Sequence, residues 1–260
     1  MNDQLLQEVR EGIAHVTLNR PQARNALTFE MYDGLAEIAN KVAADPQIRA
    51  VVIRGAGDKA FASGSEISQF RAFKGGADGV AYEQHLDEVL GALERCPKPV
   101  IAAISGACTG GGAAIAAVCD LRIGTPSTRF GVPVARTLGN CLSVASLSRF
   151  AALLGPARTL EMMLTARLID ADEAQRIGLL NEIVASPEAL DARADELARS
   201  IASLAPLTLR VTKEQMRRMR AALIAGVNDD DLVAQCYGSE DFKQGVEAFL
   251  ARRPPAWQGR

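Results

Sequence analysis

Apolar residues along the chain follow two alternating patterns, short runs typical of strands and longer segments with helical spacing. The short runs predict strands over residues 13–18, 50–54, 100–104 and 121–123. Thr28 is placed to cap a helix over residues 29–43, in which apolar positions recur on one helical face. In the first strand His15 occupies a polar position, so we expect its side chain on an exposed face. Because strands and helices alternate, the chain is predicted to have an α/β fold.

The pattern changes to nearly continuous helix after about residue 186. Helices are predicted over residues 187–203, 206–224, 229–237 and 240–251. We therefore expect a core over residues 1–195 and a helical region over residues 196–260. Within the helical region, residues 216–220 hold two methionines among three arginines. The simplest interpretation is a helix whose methionines point inward and whose arginines lie in water.

Composition narrows the classes of partner. The 260 residues carry a net charge of −2 and 48% hydrophobic content, and the basic residues are mixed with acidic ones. Nucleic acid is therefore not an expected partner, whereas small molecules and copies of the same chain are.

No segment approaches the roughly 20 apolar residues of a membrane span, and residues 1–12 lack an apolar signal core, so we expect a cytoplasmic protein without membrane contacts. Five cysteines and two histidines form no spacing typical of disulfide frameworks or metal sites, and no metal is expected.

The segment SGACTGGGAAIAAVCD, residues 105–120, follows a predicted strand and places three glycines at the start of a helix. Such a turn offers unpaired backbone N–H groups to negative charge. No lysine follows as in a phosphate-binding P-loop, and Ile115 stands where a dinucleotide fingerprint needs its third glycine. The glycines could also serve only to let the helix pack tightly on the strand, so the motif alone does not name a ligand.

A second segment, KAFASGSEI at residues 59–67, again places a glycine and free amides before a helix. If the two turns converge, their amides can form an oxyanion hole. Each such donor can stabilise charge on a carbonyl oxygen by about 3 kcal/mol. This pairing favours chemistry at a carbonyl group over phosphate binding.

Six segments in order, covering nearly the whole chain, resemble the crotonase (enoyl-CoA hydratase/isomerase) superfamily. They are VTLNRPQARNAL (16–27), KAFASGSEI (59–67), PVIAAISGACTGGGAAIAAVCDLRI (99–123), RFGVPV (129–134), LTARLIDADEAQRIGLLNEIV (164–184) and SEDFKQGVEAFLARRPPAWQGR (239–260). The resemblance implies a spiral of ββα turns with a C-terminal helical oligomerisation region that forms trimers, often assembled as hexamers.

The resemblance also implies an acyl-CoA enzyme of fatty acid metabolism, a lyase or isomerase, with coenzyme A as part of the substrate and no tightly bound cofactor. Its oxyanion donors would be the amides of Ser65 and Gly111, which would stabilise a thioester enolate. Coenzyme A contacts would involve Arg24, Ala62, Gly64, Ile67 and Lys243.

The chain departs from the family pattern at two positions. Hydratases of the superfamily use two glutamates, one three residues after the middle glycine and one in an F-G-x-P-E segment, where this chain has Ala114 and Val134. General acid–base catalysis contributes typically 10²–10⁴-fold, so ordinary hydration is expected to be poor. The alternatives are a decarboxylase or isomerase using other residues, and a non-catalytic acyl-CoA-binding or assembly protein. A serine hydrolase is disfavoured because no G-x-S-x-G segment is present.

Polar residues near the two motifs are candidates for the missing proton transfer. Glu66 follows the Ser65 amide, but it could equally complement the dipole of a helix N-terminus. Arg136 could pair with an acyl carboxylate, and Asn140 could bind a hydroxyl or water. Three further groups have weaker claims. His85 is expected on a solvated face with Glu83, Gln84, Asp87 and Glu88, and Cys108 and Cys141 are expected as small core residues. Tyr237 and Asp241 could approach the pocket from the C-terminal region.

Overall fold

The computed structural model describes residues 3–260. The strands of this part of the chain are β1 (Leu5–Arg10), β2 (Ile13–Leu18), β3 (Ala50–Gly55), β4 (Ala60–Ala62), β5 (Val100–Ile104), β6 (Ala107–Thr109), β7 (Leu121–Gly124), β8 (Arg129–Gly131), β9 (Ile169–Asp170) and β10 (Glu182–Ile183). The helices are α1 (Phe29–Ala44), α2 (Gly76–Arg95), α3 (Gly111–Val118), α4 (Val134–Thr137), α5 (Val144–Leu154), α6 (Pro156–Thr165), α7 (Ala171–Arg176), α8 (Pro187–Ala202), α9 (Pro206–Leu223), α10 (Asp230–Tyr237) and α11 (Glu240–Leu250).

From β3 to β8, consecutive strands alternate between two sheets. The larger sheet has the order β1-β2-β3-β5-β7-β10 and the smaller one the order β4-β6-β8-β9. Three times in succession the chain adds a strand to the larger sheet, then a strand to the smaller sheet, and then a helix: β3-β4-α2, β5-β6-α3 and β7-β8-α4. The pairs formed within each sheet by these strands are parallel. The predicted α/β class and spiral of ββα turns are confirmed.

The four predicted strands are central members of the larger sheet, β2, β3, β5 and β7. The strands of the smaller sheet were not predicted, because runs of two or three residues are too short to show a period. The first strand of the chain, β1, was also missed, since it pairs with β2 on one side only and four of its six residues are exposed, so that it has no regular apolar alternation.

The larger sheet is buried on both faces, which corrects the expectation for His15. One face packs on the main core, and the other is covered by α8 through Leu190, Ala194 and Ala198. His15 lies under α8 with 6% of its surface exposed, and its Nδ1 is 3.0 Å from Arg54 and 3.6 Å from Asp195. Burial lowers the pKa of His15 and outweighs the attraction of Asp195.

The four C-terminal helices match the predicted ranges to within one residue at each end. The predicted boundary at residue 195 falls within α8, which packs on the sheet along its length. The helices beyond it divide into two groups, because α9 has no buried residue whereas α10 and α11 bury Val233, Tyr237, Phe242 and Val246.

The predicted orientation of residues 216–220, with the methionines inward and the arginines in water, is wrong for a single chain. Met216 and Met219 are 62% and 65% exposed. Arg220 instead turns inward to an ion pair with Glu94 at 2.8 Å, and Arg218 stays exposed. Helix α9 therefore directs charged side chains towards the core and apolar side chains outward, because Lys213 pairs with Asp120, directly before β7, and Arg220 pairs with Glu94 on α2.

Helices α10 and α11 pack on α2 and on the 3-10 turn at residues 67–72 through an aromatic cluster. Its members are Phe70, Phe73, Tyr82, Tyr237 and Phe242, with ring centroids as close as 4.8 Å. The cluster joins the end of the chain to the wall of the largest cavity.

Candidate active site

The two glycine turns lie side by side because they follow neighbouring strands. Strands β4 and β6 are parallel partners, with Ala62 opposite Cys108, so the turns after their carboxyl ends emerge at one edge. Gly64 and Gly110 both have positive φ, 114° and 54°, which favours glycine. A Cβ atom on Gly110 would lie 3.3 Å from the Cα of Gly64, so a side chain on Gly110 would crowd the first turn.

The backbone amides of Ser65 and Gly111 have no acceptor among residues 3–260. Gly111 is the first residue of α3, where a helix leaves its N–H groups without an internal partner. A Cβ on Gly111 would lie 3.3 Å from the Ser65 Oγ and 1.9 Å from the hydroxyl of Tyr32. The two free amides therefore belong to neighbouring residues of one site, and only glycine fits at position 111.

Two tyrosines hold the first turn in place. The Ser65 Oγ is hydrogen-bonded to the hydroxyl of Tyr32 at 2.9 Å and to that of Tyr82 at 2.7 Å. Burial raises the pKa of Tyr32 to about 12 and that of Tyr82 well above 10. Both hydroxyls are thus neutral at physiological pH, and they anchor the turn to α1 and α2.

The turns open into a cavity of about 830 Å³. Its lining includes both turns, residues of α2, the segment after β8 and two residues near the C-terminal end of α11. Ala114 and Val134 line it, as do Phe70, Leu86, Leu138 and Leu142. At both positions where the resemblance to the superfamily's hydratases would place a glutamate, the wall of this cavity therefore has an apolar side chain.

One carboxyl group lies in this apolar wall. Glu83, on α2, is 2% exposed, and its oxygens accept hydrogen bonds from the Tyr237 hydroxyl at 2.6 Å and the Ser143 amide at 2.9 Å. Burial, together with repulsion from Asp87 and Asp229, raises the pKa of Glu83 to about 7. The hydrogen bonds from Tyr237 and Ser143 lower this pKa but do not outweigh burial.

Sequence reasoning assigned Glu83 to a solvated face, and this assignment is wrong. The signal was present, since Glu83 shares an apolar stripe of α2 with Gly79, Tyr82, Leu86 and Leu90. The polar neighbours in sequence, Gln84 and Glu88, point to the other side and are exposed. A helical plot of this segment would have placed the carboxyl among the buried residues.

Glu66 lines the cavity, but its carboxylate is engaged elsewhere. It accepts hydrogen bonds from Ser68 and forms an ion pair with Arg20 at 3.0 Å. Burial opposes ionisation, yet these bonds outweigh it and lower the pKa of Glu66. Its amide donates to Leu27, so the segment is fixed on both sides.

Asn140 lines the cavity, and its Nδ2 donates to the Tyr237 hydroxyl at 3.0 Å, while its Oδ1 is buried without a partner among the described residues. Tyr237 thereby reaches the site from the C-terminal region. Asp241 does not line the cavity, because it accepts hydrogen bonds from the amides of Gln258 and Gly259.

Two other candidates lie elsewhere. Arg136 is exposed on α4 and does not line the cavity. His85 is partly exposed, as predicted, and pairs with Asp33 at 2.9 Å. Cys108 is fully buried, whereas Cys141 is half-buried and hydrogen-bonded to Cys236.

Of the five predicted coenzyme A contacts, three line the cavity and two do not. Arg24, Gly64 and Ile67 line the cavity. Ala62 is buried in β4 behind the turn, and Lys243 is exposed with Glu240 as its partner at 2.8 Å. Within residues 3–260, no group of three or more His, Cys, Asp or Glu residues is arranged to hold a metal ion, and no helix has the length and apolarity to cross a membrane.

The chain matches known proteins over nearly its full length. A sequence profile described as enoyl-CoA hydratase/isomerase matches residues 8–260. A short-chain-enoyl-CoA hydratase of Clostridium acetobutylicum is 34% identical over 247 residues, 94% of each chain. The crystal structure of an enoyl-CoA hydratase/carnithine racemase from Magnetospirillum magneticum superposes with a TM-score of 0.81 at 35% identity, covering 100% of this chain and 97% of that one. A methylmalonyl-CoA decarboxylase in complex with 2-nitronate-propionyl-CoA superposes with a TM-score of 0.88 at 26% identity, covering 99% of both chains.

The fold is thus that of the crotonase proteins, which are built from the same ββα spiral. The chain belongs to the enoyl-CoA hydratase/isomerase family, and it is an acyl-CoA enzyme of that family.

Proposed function

We propose that the enzyme binds an acyl-CoA thioester with its carbonyl oxygen between the amides of Ser65 and Gly111, and that it stabilises the thioester enolate there. The observation that carries the proposal is the pair of unpartnered amides on two adjoining turns at the wall of an 830 Å³ cavity. Amides held rigidly by strand and helix need no reorganisation when charge develops on the oxygen. Ser65 is further fixed by Tyr32 and Tyr82.

Hydration of a 2-enoyl thioester is not the favoured reaction of this site. The step requires water to be deprotonated and a proton to be delivered to carbon, and neither Ala114 nor Val134 can do so. The remaining reactions are those in which another residue transfers the proton, as in isomerisation, or in which loss of CO₂ generates the enolate directly. The similarity to a methylmalonyl-CoA decarboxylase supports the second class as the alternative.

A panel of crotonyl-, 3-enoyl- and malonyl-type CoA esters tests the proposal. We expect micromolar binding of the thioesters, turnover of a 3-enoyl or malonyl-type ester, and crotonyl-CoA hydration about 10²–10⁴-fold below that of a hydratase with both carboxylates. Free coenzyme A and the free acids serve as controls for the acyl and thioester groups. Binding without any turnover would favour a non-catalytic acyl-CoA-binding protein, and absence of thioester binding would contradict the proposal.

We also propose that the chain forms a homotrimer or a hexamer of two trimers through its C-terminal helical region. Helix α9 supports this, because a row of exposed apolar side chains along one helix is typical of a protein–protein interface. The exposed residues include Leu207, Val211, Met216, Met219 and Leu223. Light scattering should give three or six times the 27.6 kDa of one chain, and Leu223→Glu should shift the mass towards the monomer, whereas a monomeric wild-type protein would contradict the assembly.

The proposed contacts with coenzyme A follow from where the five predicted residues lie relative to the cavity. Arg24, Gly64 and Ile67 are proposed to contact the cofactor portion of the substrate from within one subunit, Ala62 to support the turn, and Lys243 to reach the site of a neighbouring subunit. A cytoplasmic location and a place in fatty acid metabolism remain predictions.

A further inference from the structure

Glu83 is a carboxyl group in the cavity lining, and the carbonyl site proposed between the two amides gives it no role. Of the two carboxyl groups in the lining, Glu66 is neutralised by Arg20, whereas Glu83 has no cationic partner among residues 3–260. A buried carboxyl with a pKa of about 7 is present both as carboxylate and as acid near neutral pH. These two forms are what a residue needs to take a proton from a substrate and return it.

The position of Glu83 relative to the two turns is set by α2. The preceding residue, Tyr82, donates to or accepts from the Ser65 Oγ at 2.7 Å, so this turn of α2 is held directly against the first glycine turn. One turn further along the helix, Leu86 lines the same cavity. An acyl group whose carbonyl oxygen meets the Ser65 amide therefore begins its path beside the turn of α2 that carries Glu83.

We propose that Glu83 is the proton-transfer residue for the bound acyl group. The inference rests on the proposed function, since it requires the carbonyl oxygen to lie between the amides of Ser65 and Gly111. The carboxylate of Glu83 takes the proton from the carbon next to the carbonyl. The C–H electron pair forms the carbon–carbon double bond of the enolate, and the π pair of the carbonyl moves onto its oxygen. The reverse step returns the proton from the Glu83 acid to carbon. The substrate class is an acyl-CoA thioester with a hydrogen on that carbon.

Glu83 also links three helices, so a purely structural role has to be distinguished from catalysis. It accepts from Ser143, the N-cap residue of α5, and from Tyr237 at the end of α10. Several titratable groups face it from the surrounding elements: Tyr32 on α1, Tyr82 and Asp87 on α2, Asp229 at the start of α10, Cys236 and Tyr237 on α10, and Cys141 in the segment before α5. A structural role affects stability, whereas a proton-transfer role also sets a pH profile.

The test is exchange of the α-hydrogen of butyryl-CoA with solvent deuterium, followed by mass spectrometry across pH 5–9 at controlled ionic strength. For the wild-type protein we expect the exchange rate to rise with pH to a plateau, with a midpoint near pH 7, because the carboxylate is the active form. Glu83→Gln keeps the size of the side chain and an acceptor oxygen but cannot bind the proton. It should lower exchange by about 10²–10⁴-fold and abolish the dependence on pH.

Two further variants shift the midpoint without removing the carboxyl. Asp87 raises the pKa of Glu83 through repulsion, so Asp87→Asn should move the midpoint to lower pH. The Tyr237 hydroxyl lowers that pKa through its hydrogen bond, so Tyr237→Phe should move the midpoint to higher pH. Asp87→Asn is also the control for structure, since Asp87 binds Ser143, Ser146 and Arg149 one helical turn away and does not line the cavity.

The outcomes separate this inference from the proposed function. Thioester binding together with equal exchange by wild type and Glu83→Gln, or binding without exchange by the wild-type protein, would overturn the role of Glu83 and leave the carbonyl site standing. Absence of thioester binding by wild type would overturn both. If Glu83→Gln fails to fold, opposite midpoint shifts in Asp87→Asn and Tyr237→Phe support the inference, and an unchanged midpoint in both contradicts it.

Discussion

Replacing the amide hydrogen at position 111 is expected to lower turnover of the thioester substrate by about 10²–10³-fold, the usual effect of losing one oxyanion donor. The variant is Tyr32→Phe/Gly111→Pro. Gly111 is the first residue of α3, where proline is tolerated because the helix does not use that N–H. The Tyr32→Phe change is needed because a Cβ at position 111 would lie 1.9 Å from the tyrosine hydroxyl oxygen.

The matched control is Tyr32→Phe/Gly111→Ala, which adds the same Cβ but keeps the N–H group. The infrared stretch of the bound thioester carbonyl provides a readout that does not depend on the reaction, because hydrogen bonds to the oxygen lower its frequency. We expect the lowered frequency in the alanine variant and a higher one in the proline variant. Equal frequencies and equal turnover in the two variants would show that the Gly111 amide does not bind the carbonyl.

Introducing glutamates at the two hydrocarbon positions is expected to raise crotonyl-CoA hydration by about 10²–10⁴-fold. In Ala114→Glu/Val134→Glu both side chains start from the cavity wall, where Ala114 is 3% and Val134 9% exposed. The carboxylates can then hold and deprotonate water beside the double bond. The rate of hydration is measured from the loss of the enoyl thioester absorbance.

Ala114→Gln/Val134→Gln is the control for this gain, since glutamine has the same size without a titrating group. The melting temperatures of the two double variants show whether either substitution has disturbed the cavity. If both variants hydrate crotonyl-CoA equally, or the wild-type protein already does so at the rate of a two-glutamate hydratase, then Ala114 and Val134 do not limit the reaction.

Much of the fold could be predicted because its signals are local. The apolar runs of β2, β3, β5 and β7 and the cap at Thr28 indicate elements directly. The short strands of the smaller sheet carry no such signal, because a run of three residues has no period and its pairing is decided by partners distant in sequence. His15 was misplaced for the same reason, since only the covering helix α8 makes its face of the sheet an interior.

The candidate site, too, was predictable only where its signals are local in the sequence. The glycine turns at residues 64 and 110 could be found from their spacing, and their adjacency follows once β4 and β6 are known to pair. The helical spacing of α2 could have placed Glu83 on the buried face of the helix. Its hydrogen-bond partners could not be predicted, because Ser143 and Tyr237 lie 60 and 154 positions further along the chain.

By itself the sequence determined the four central strands of the larger sheet, the four C-terminal helices, the two glycine turns, and the absence of carboxyl groups at positions 114 and 134. These are properties of local spacing and of residue identity, which do not depend on folding. Only the tertiary structure decided that the free amides adjoin, that Glu66 is neutralised by Arg20, and that Glu83 lies in the cavity wall with a pKa of about 7. The physical reason is that burial and charge pairing, which set the chemistry of a carboxyl group, arise from segments that meet only in the folded chain.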